Sequence, residues 1–281
     1  MVMAVLLGLI SSIVLSKHYV DIHREVLSSS NIEYSLRIIH LSDLHNATFG
    51  SSNSRLITKI ESEDPDLILM TGDMVNNDNQ NISVITDLIR RLKEIAPIYY
   101  SYGNHEKAYI EKFDNQDDTS LKESLETAGA TVLECDWIDT TVNGTDIRIG
   151  GIYGYCLPRK YTAEGNKEEQ EFLTSFEDTD SYKILLSHMP YTWRVLSGLD
   201  DWDIDLVLSG HNHGGQIIIP GIGGLYAPDM GWFPGRVWGK FTSKTTGNTL
   251  IISRGLGNEN WLPRINNLPE IGVIEISSEE Q

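Results

Sequence analysis

Five short segments of the chain collect residue types that bind divalent metal ions. They are Asp43-Leu44-His45, Gly72-Asp73, Gly103-Asn104-His105-Glu106, Ser187-His188 and Gly210-His211-Asn212-His213. Carboxylate and amide oxygens mixed with imidazole nitrogens suit Mn, Fe or Zn better than Mg or Ca, which prefer shells made only of oxygen. In D-x-H and H-x-H a loop frees both side chains from the alternation of a strand, so the pair can turn toward one ion. Each segment alone has an ordinary reading, a capping Asp or a hydrogen-bonded His. Jointly they weigh more, because five of the eight histidines fall here and every segment directly follows an apolar run. Glycines before Asp73, Asn104 and His211 let the backbone turn sharply into a shared cleft.

The elements that would position these loops are legible in the hydrophobic pattern. Leu36–Leu41 and Asp66–Met70 read as buried strands and Ile98–Ser101 as a third. Between them, residues 53–62 and the apolar face Ile82, Ile85, Leu88, Ile89, Leu92 and Ile95 predict two helices. This βαβαβ order implies a largely parallel sheet whose functional loops leave the carboxyl ends of the strands. Asn143-Gly144 between two alternating runs predicts a hairpin, where an antiparallel sheet begins. A helix over 168–176 and strands over 184–187 and 206–209 follow. The Gly- and aromatic-rich stretch 216–276 reads as more of that second sheet.

Composition sets the outer limits. With 281 residues and 40% hydrophobic content the chain can bury one large core, and with 40 acidic against 22 basic residues its net charge is -18. Such a charge repels a nucleic-acid backbone, and no basic cluster offsets it, so duplex nucleic acid is excluded as a partner. Met1–Ser16 carries no charge and precedes Lys17. The reading taken is an N-terminal anchor or signal-like segment over 1–20, a membrane-associated protein with its catalytic domain on the extracytoplasmic side, and that domain spanning 36–277. Cys135 and Cys156 fit neither a metal knuckle nor a disulfide framework, and are read as buried thiols or a single bridge. Nothing in the sequence sets an oligomeric state.

The motifs SDLH (Ser42–His45), GD (Gly72-Asp73), GNHE (Gly103–Glu106), SH (Ser187-His188) and SGHNHGGQ (Ser209–Gln216) give the chain a resemblance to the calcineurin-like metallophosphoesterases. The likeness runs from Leu36 to Ile276. Within that family it looks most like the small membrane-anchored or exported bacterial phosphoesterases in which GGQ follows the last motif, and SRGLG (Ser253–Gly257) and LPRINNLPEI (Leu262–Ile271) fit them too. One departure is Asn212, where Thr or Cys is usual. The resemblance implies an α/β fold, a four-layer α/β/β/α sandwich of two mixed β-sheets flanked by helices. It implies two divalent metal ions, the first on Asp43, His45 and His213, the second on Asn104, His188 and His211, with Asp73 bridging them. It also implies that His105, beside a ligand without being one, protonates the leaving oxygen.

The chemistry expected of such a pair is phosphoester hydrolysis. Two dications about 3.5 to 4 Å apart clamp a phosphoryl group and lower the pKa of a shared water, which supplies hydroxide near neutral pH. The substrate expectation is a phosphodiester or pyrophosphate of an envelope lipid or cell-wall precursor. The alternatives are a broad nucleotide phosphodiesterase or phosphomonoesterase, and a non-catalytic metal-binding scaffold. Arg236, Arg254 and Arg264, with Trp232 and Phe233, are candidate substrate contacts, each with a plain alternative as a surface cation or a packed ring.

Overall fold

The computed structural model describes residues 2–114, 119–153, 167–258 and 262–278. A first six-stranded sheet is made by β1 (Asp21–Ser29), β2 (Leu36–Leu41), β3 (Leu67–Met70), β4 (Ile98–Tyr100), β5 (Ala130–Val132) and, from the far end of the chain, β15 (Glu270–Ser278). Its order is β1-β15-β2-β3-β4-β5. Helices α2 (Ser54–Glu61) and α3 (Ser83–Leu92) are the crossovers of the β2–β4 unit, and the three strands pair in parallel as expected. The second sheet runs β13 (Gly239–Thr242), β14 (Thr249–Ile252), β9 (Leu206–Ser209), β8 (Tyr182–Ser187), β7 (Thr145–Ile152) and β6 (Asp136–Val142).

Alternation along the strands builds the layers. In β2, Ile39 and Leu41 join a core under α2, α3 and α5 (Thr119–Ala128), whereas Leu36 and Ile38 point to the opposite face. There they meet Ile147, Ile149, Ile184, Leu186 and Leu208 of the second sheet across an apolar interface. A third core packs the outer face of the second sheet against α6 (Lys167–Phe176), Trp193 of α7 (Tyr191–Arg194) and Leu199 of α8 (Gly198–Asp201). Helix, sheet, sheet and helix give the four-layer α/β sandwich that the sequence predicts. Helix α4 (Asn104–Phe113) starts on the GNHE loop itself.

The structure departs from the expectation in three places. The 143–144 turn does carry a hairpin, with Asn143 and Gly144 both at positive φ. Beyond it, however, β7, β8, β9 and β14 are parallel, so the second sheet is mixed, as the resemblance implies, and not the antiparallel sheet read from the hairpin. The stretch 216–276 divides three ways: β13 and β14 extend the second sheet, β15 inserts antiparallel to β2 in the first, and β10 (Ile218–Ile219), β11 (Gly223–Ala227) and β12 (Gly231–Gly235) form a small sheet of their own. Strand β1, to which the hydrophobic pattern assigns no element, pairs in parallel with β15 along its full length.

The N-terminal segment is the clear correction. Val2–His18 forms a helix, α1, of 17 residues, which at about 1.5 Å per residue falls short of a bilayer core about 30 Å thick. Among the described residues no helix is long and apolar enough to cross a membrane. The second half of α1 is instead stitched to the catalytic loops: Asn266 N–H donates to Ser12 Oγ at 2.7 Å and Ser16 Oγ donates to the Arg264 carbonyl at 3.4 Å. The expected membrane anchor, and the extracytoplasmic placement that followed from it, are therefore not supported.

Candidate metal centre

All five metal-binding segments leave the carboxyl ends of parallel strands: β2, β3 and β4 of the first sheet, β8 and β9 of the second. The ladder of the first sheet continues past its end. Asp43 N–H donates to the Gly72 carbonyl at 3.0 Å and His45 N–H to the Asp73 carbonyl at 3.0 Å, so the D-x-H and G-D loops are locked in register. From the other side Leu256 N–H donates to the Ser42 carbonyl at 3.0 Å, which ties the SRGLG segment to the D-x-H loop. The glycines do more than turn the chain. A Cβ on Gly103 would lie 2.2 Å from Asp73 Oδ1, and one on Gly210 would lie 2.3 Å from Asp43 Oδ2. Neither has positive φ, so both are required by the close approach of a carboxylate rather than by a bend.

The side chains converge in two groups, Asp43, His45 and His213 in one and Asp73, His188 and His211 in the other. In the first, His213 Nε2 lies 3.5 Å from Asp43 Oδ1 and 3.3 Å from His45 Nε2. In the second, Asp73 Oδ2 lies 3.0 Å from His188 Nε2 and also 3.9 Å from His45 Nε2, which sets it between the groups. These separations are the edges expected of donors that share an ion at bonds of about 2 Å. The far ring nitrogens support this assignment. His188 Nδ1 donates to the Thr71 carbonyl at 2.6 Å and His45 Nδ1 lies 3.2 Å from Asn76 Oδ1, which leaves Nε2 of each facing the cluster. His211 is reversed, because its Nε2 is 3.0 Å from Asp229 Oδ2 and Nδ1 remains. Asn104 Oδ1 is buried with no hydrogen-bond partner among the described residues, as an oxygen donor reserved for a cation would be. The donors present thus fit two metal ions.

Electrostatics follow from burial. Desolvation works against the charge on Asp73, yet His188, His45 and His105 hold its carboxyl well below the usual range. Burial likewise opposes charge on Asp43, and His213 and His188 outweigh it. His213 is pushed far down by burial and stays neutral. For His188 burial would also lower the pKa, but Asp73 and Asp43 drive it up to about 9.

His105 stands at the start of α4, its N–H donating to Asp73 Oδ1 at 2.8 Å. Its ring packs edge-on against His45 at 4.7 Å. Asn77 N–H donates to His105 Nδ1 at 3.4 Å, so in the neutral ring the proton sits on Nε2. With His45 and Asp73 it also forms a third group close enough to hold an ion, so proximity alone does not separate acid from ligand.

Two residues gain roles that sequence reasoning did not assign. Glu106, fully buried, accepts from Asp73, Met74, Val75 and Gly103 N–H groups at 2.7 to 3.3 Å and from Tyr100 Oη at 2.6 Å. It ties the G-D loop to the GNHE loop, and its place in GNHE was the signal available. Asp229, on the turn between β11 and β12, orients His211, and no local pattern marks it. Of the arginines considered, Arg254 pairs with Glu270 and Asp21, and Arg236 stacks on Phe241 and donates to the Lys240 carbonyl. Arg264 is 2% exposed, and its Nη2 lies 3.3 Å from His213 Nδ1. Trp232 and Phe233 remain 57% and 60% exposed. Cys135 is half-buried, its thiol pushed up to about 12 by burial and by Glu134; Cys156 lies outside the described residues.

Known proteins resemble this chain over most of its length. Residues 36–215 match the calcineurin-like phosphoesterase family, and the chain belongs to it. The phosphodiesterase YaeI of Escherichia coli is 30% identical over 253 residues, covering 85% of this chain and 82% of its own. The metallophosphoesterase YkuE of Bacillus subtilis is 27% identical over 273 residues, covering 94% and 88%. Among solved structures, a dimetal phosphatase from Danio rerio is 13% identical with a TM-score of 0.48, covering 80% of this chain and 88% of its own. The protein is accordingly a metal-dependent phosphoester hydrolase, of a family that uses two metal ions.

Proposed function

We propose that the protein is a phosphodiesterase in which Asp43, His45 and His213 hold one metal ion, Asn104, His188 and His211 hold a second, and Asp73 is shared. The observation that carries this reading is the position of Asp73 Oδ2 between the two imidazole groups, beside the unpartnered oxygen of Asn104. When bound, the ions supply Lewis-acid activation of the phosphoryl group and a water acidic enough to attack it. The chain's own residues position and protonate. Thr71, Asn76 and Asp229 fix the ring orientations of His188, His45 and His211. Glu106 holds the loop that carries Asp73, and His105 delivers the Nε2 proton to the departing oxygen. Manganese, iron and zinc all suit this donor set.

The envelope-lipid substrate expected from the sequence rested on a membrane segment and lost its basis with it. The reading therefore stays with the phosphodiester itself. Turnover of bis-p-nitrophenyl phosphate, abolished by chelation and restored by added Mn, tests it; undiminished turnover by metal-free protein would overturn it.

A further inference from the structure

A cavity of about 360 Å³ lies between α1 and the loops behind the metal centre. Its walls are apolar at Ile13, Phe49, Leu256 and Pro263, and its cations are Lys17 and Arg264. In a chain with 40 acidic and 22 basic residues, no carboxylate stands among its described lining residues. That local inversion of charge is the first of two independent observations. The second is the state of Arg264. Its Nε and Nη2 donate to the Gly257 carbonyl at 2.9 and 2.6 Å, but Nη1 is buried with no partner among the described residues. The guanidinium forms no ion pair with any described carboxylate. Glu270 is taken by Arg254, and Asp43 faces the histidines. A buried guanidinium is always charged, and leaving one without a counter-charge is costly.

We propose that this cavity is a binding site for an amphiphilic organic anion, whose phosphoryl, sulfonyl or carboxylate head meets Arg264 and Lys17 and whose short apolar stem lies against Ile13, Phe49 and Leu256. The site makes α1 part of the recognition surface, held there by its Ser12 and Ser16 hydrogen bonds. Because Arg264 also touches His213, the occupant sits one side chain away from the candidate metal centre. The same chemistry can arrive as the remote end of the substrate or as a separate small molecule.

The test is calorimetric titration of the metal-loaded protein with hexanesulfonate, a probe with the right head and stem and little affinity for metal ions, and with 1-hexanol as the uncharged control. One site for the sulfonate and none for the alcohol is the expected result. Lys17→Glu and Ile13→Glu, neither of them among the candidate metal ligands or catalytic residues, are each expected to weaken binding about tenfold or more, the scale of one charge-assisted contact, with metal content unchanged. Competitive inhibition of diester hydrolysis by the sulfonate would identify the occupant as the substrate's own end, and unaltered turnover would identify a separate ligand. Absence of sulfonate binding, or equal binding by wild type and both variants, overturns the proposal. Hydrolysis that persists in those samples would show that the catalytic reading stands without it.

Discussion

Asp43, His45, Asp73, His211 and His213 all hold positive φ, between 46° and 69°. A non-glycine residue in that region costs on the order of 1 kcal/mol and persists only where its surroundings over-determine it. Here the loop-to-loop hydrogen bonds and the bond from His211 N–H to Asp43 Oδ1 at 3.0 Å do so. The backbone is strained so that short side chains reach a common point. At this scale the acid role of His105 can be separated from a ligand role. A residue that only protonates the leaving group matters in proportion to how poorly that group leaves. His105→Ala is expected to keep its metal and lose about 10²- to 10⁴-fold in kcat on alkyl diesters, with a distinctly smaller loss on p-nitrophenyl esters. Metal loss in that variant would instead make His105 a ligand. The seven candidate ligands were legible in sequence because each ends an apolar run. The roles of Glu106 and Asp229 were not, since their partners lie on other elements, and Arg264, named as a candidate substrate contact, instead touches His213.

Between residue and whole, single polar side chains tie elements together. Glu106 accepts four hydrogen bonds from two loops and a fifth from Tyr100 of β4, so Glu106→Gln would set an amide N–H against donors. The expected loss is about 3 kcal/mol or more in denaturant unfolding, the cost of one or two unsatisfied buried groups, together with weaker metal retention. A fully stable, metal-replete Gln variant would show that the network is dispensable. On the second sheet, Arg148 pairs with Asp139 across the hairpin and caps the end of α6 through the Ser175, Phe176 and Asp178 carbonyls. The Arg148 hydrogen bond lowers the Asp139 pKa against a smaller opposing effect of burial. A depressed carboxyl contributes stability above its unfolded pKa, near 4, and loses it as pH falls through the folded value. Asp139→Asn is therefore expected to cost up to about 1 kcal/mol at neutral pH, as for a pair whose carboxylate is exposed to solvent. Once the pH is below the folded value it should cost nothing. Equal unfolding midpoints for variant and wild type at neutral pH would remove the pair from the account. The βαβαβ unit and the Asn-Gly hairpin were legible because periodicity and turn chemistry are local.

The molecule is closed by pairings that no local pattern encodes. Strand β15 returns from the end of the chain to lie between β1 and β2, and β1 gains its place only through β15. A strand whose partner is some 250 residues distant leaves no periodic trace of that partner, which is why the pattern assigns β1 no element and reads 216–276 as one sheet. The consequence can be measured. Removing residues 1–19 keeps every strand and should lower the unfolding transition distinctly less than removing 1–30, which also deletes β1 together with the Asp21 partner of Arg254. Equal stability of the two shortened proteins would contradict the part assigned to β1.

The central claim is that two metal ions share Asp73, and metal content measured on purified protein after exhaustive dialysis against metal-free buffer tests it most directly. The wild type is expected to hold close to two equivalents of Mn, Fe or Zn. Asp73→Asn, which keeps the shape of the side chain and weakens its hold on both ions, is expected to fall well below that figure and to lose diester hydrolysis with it. An Asp73→Asn protein that keeps two ions and wild-type turnover would contradict the account.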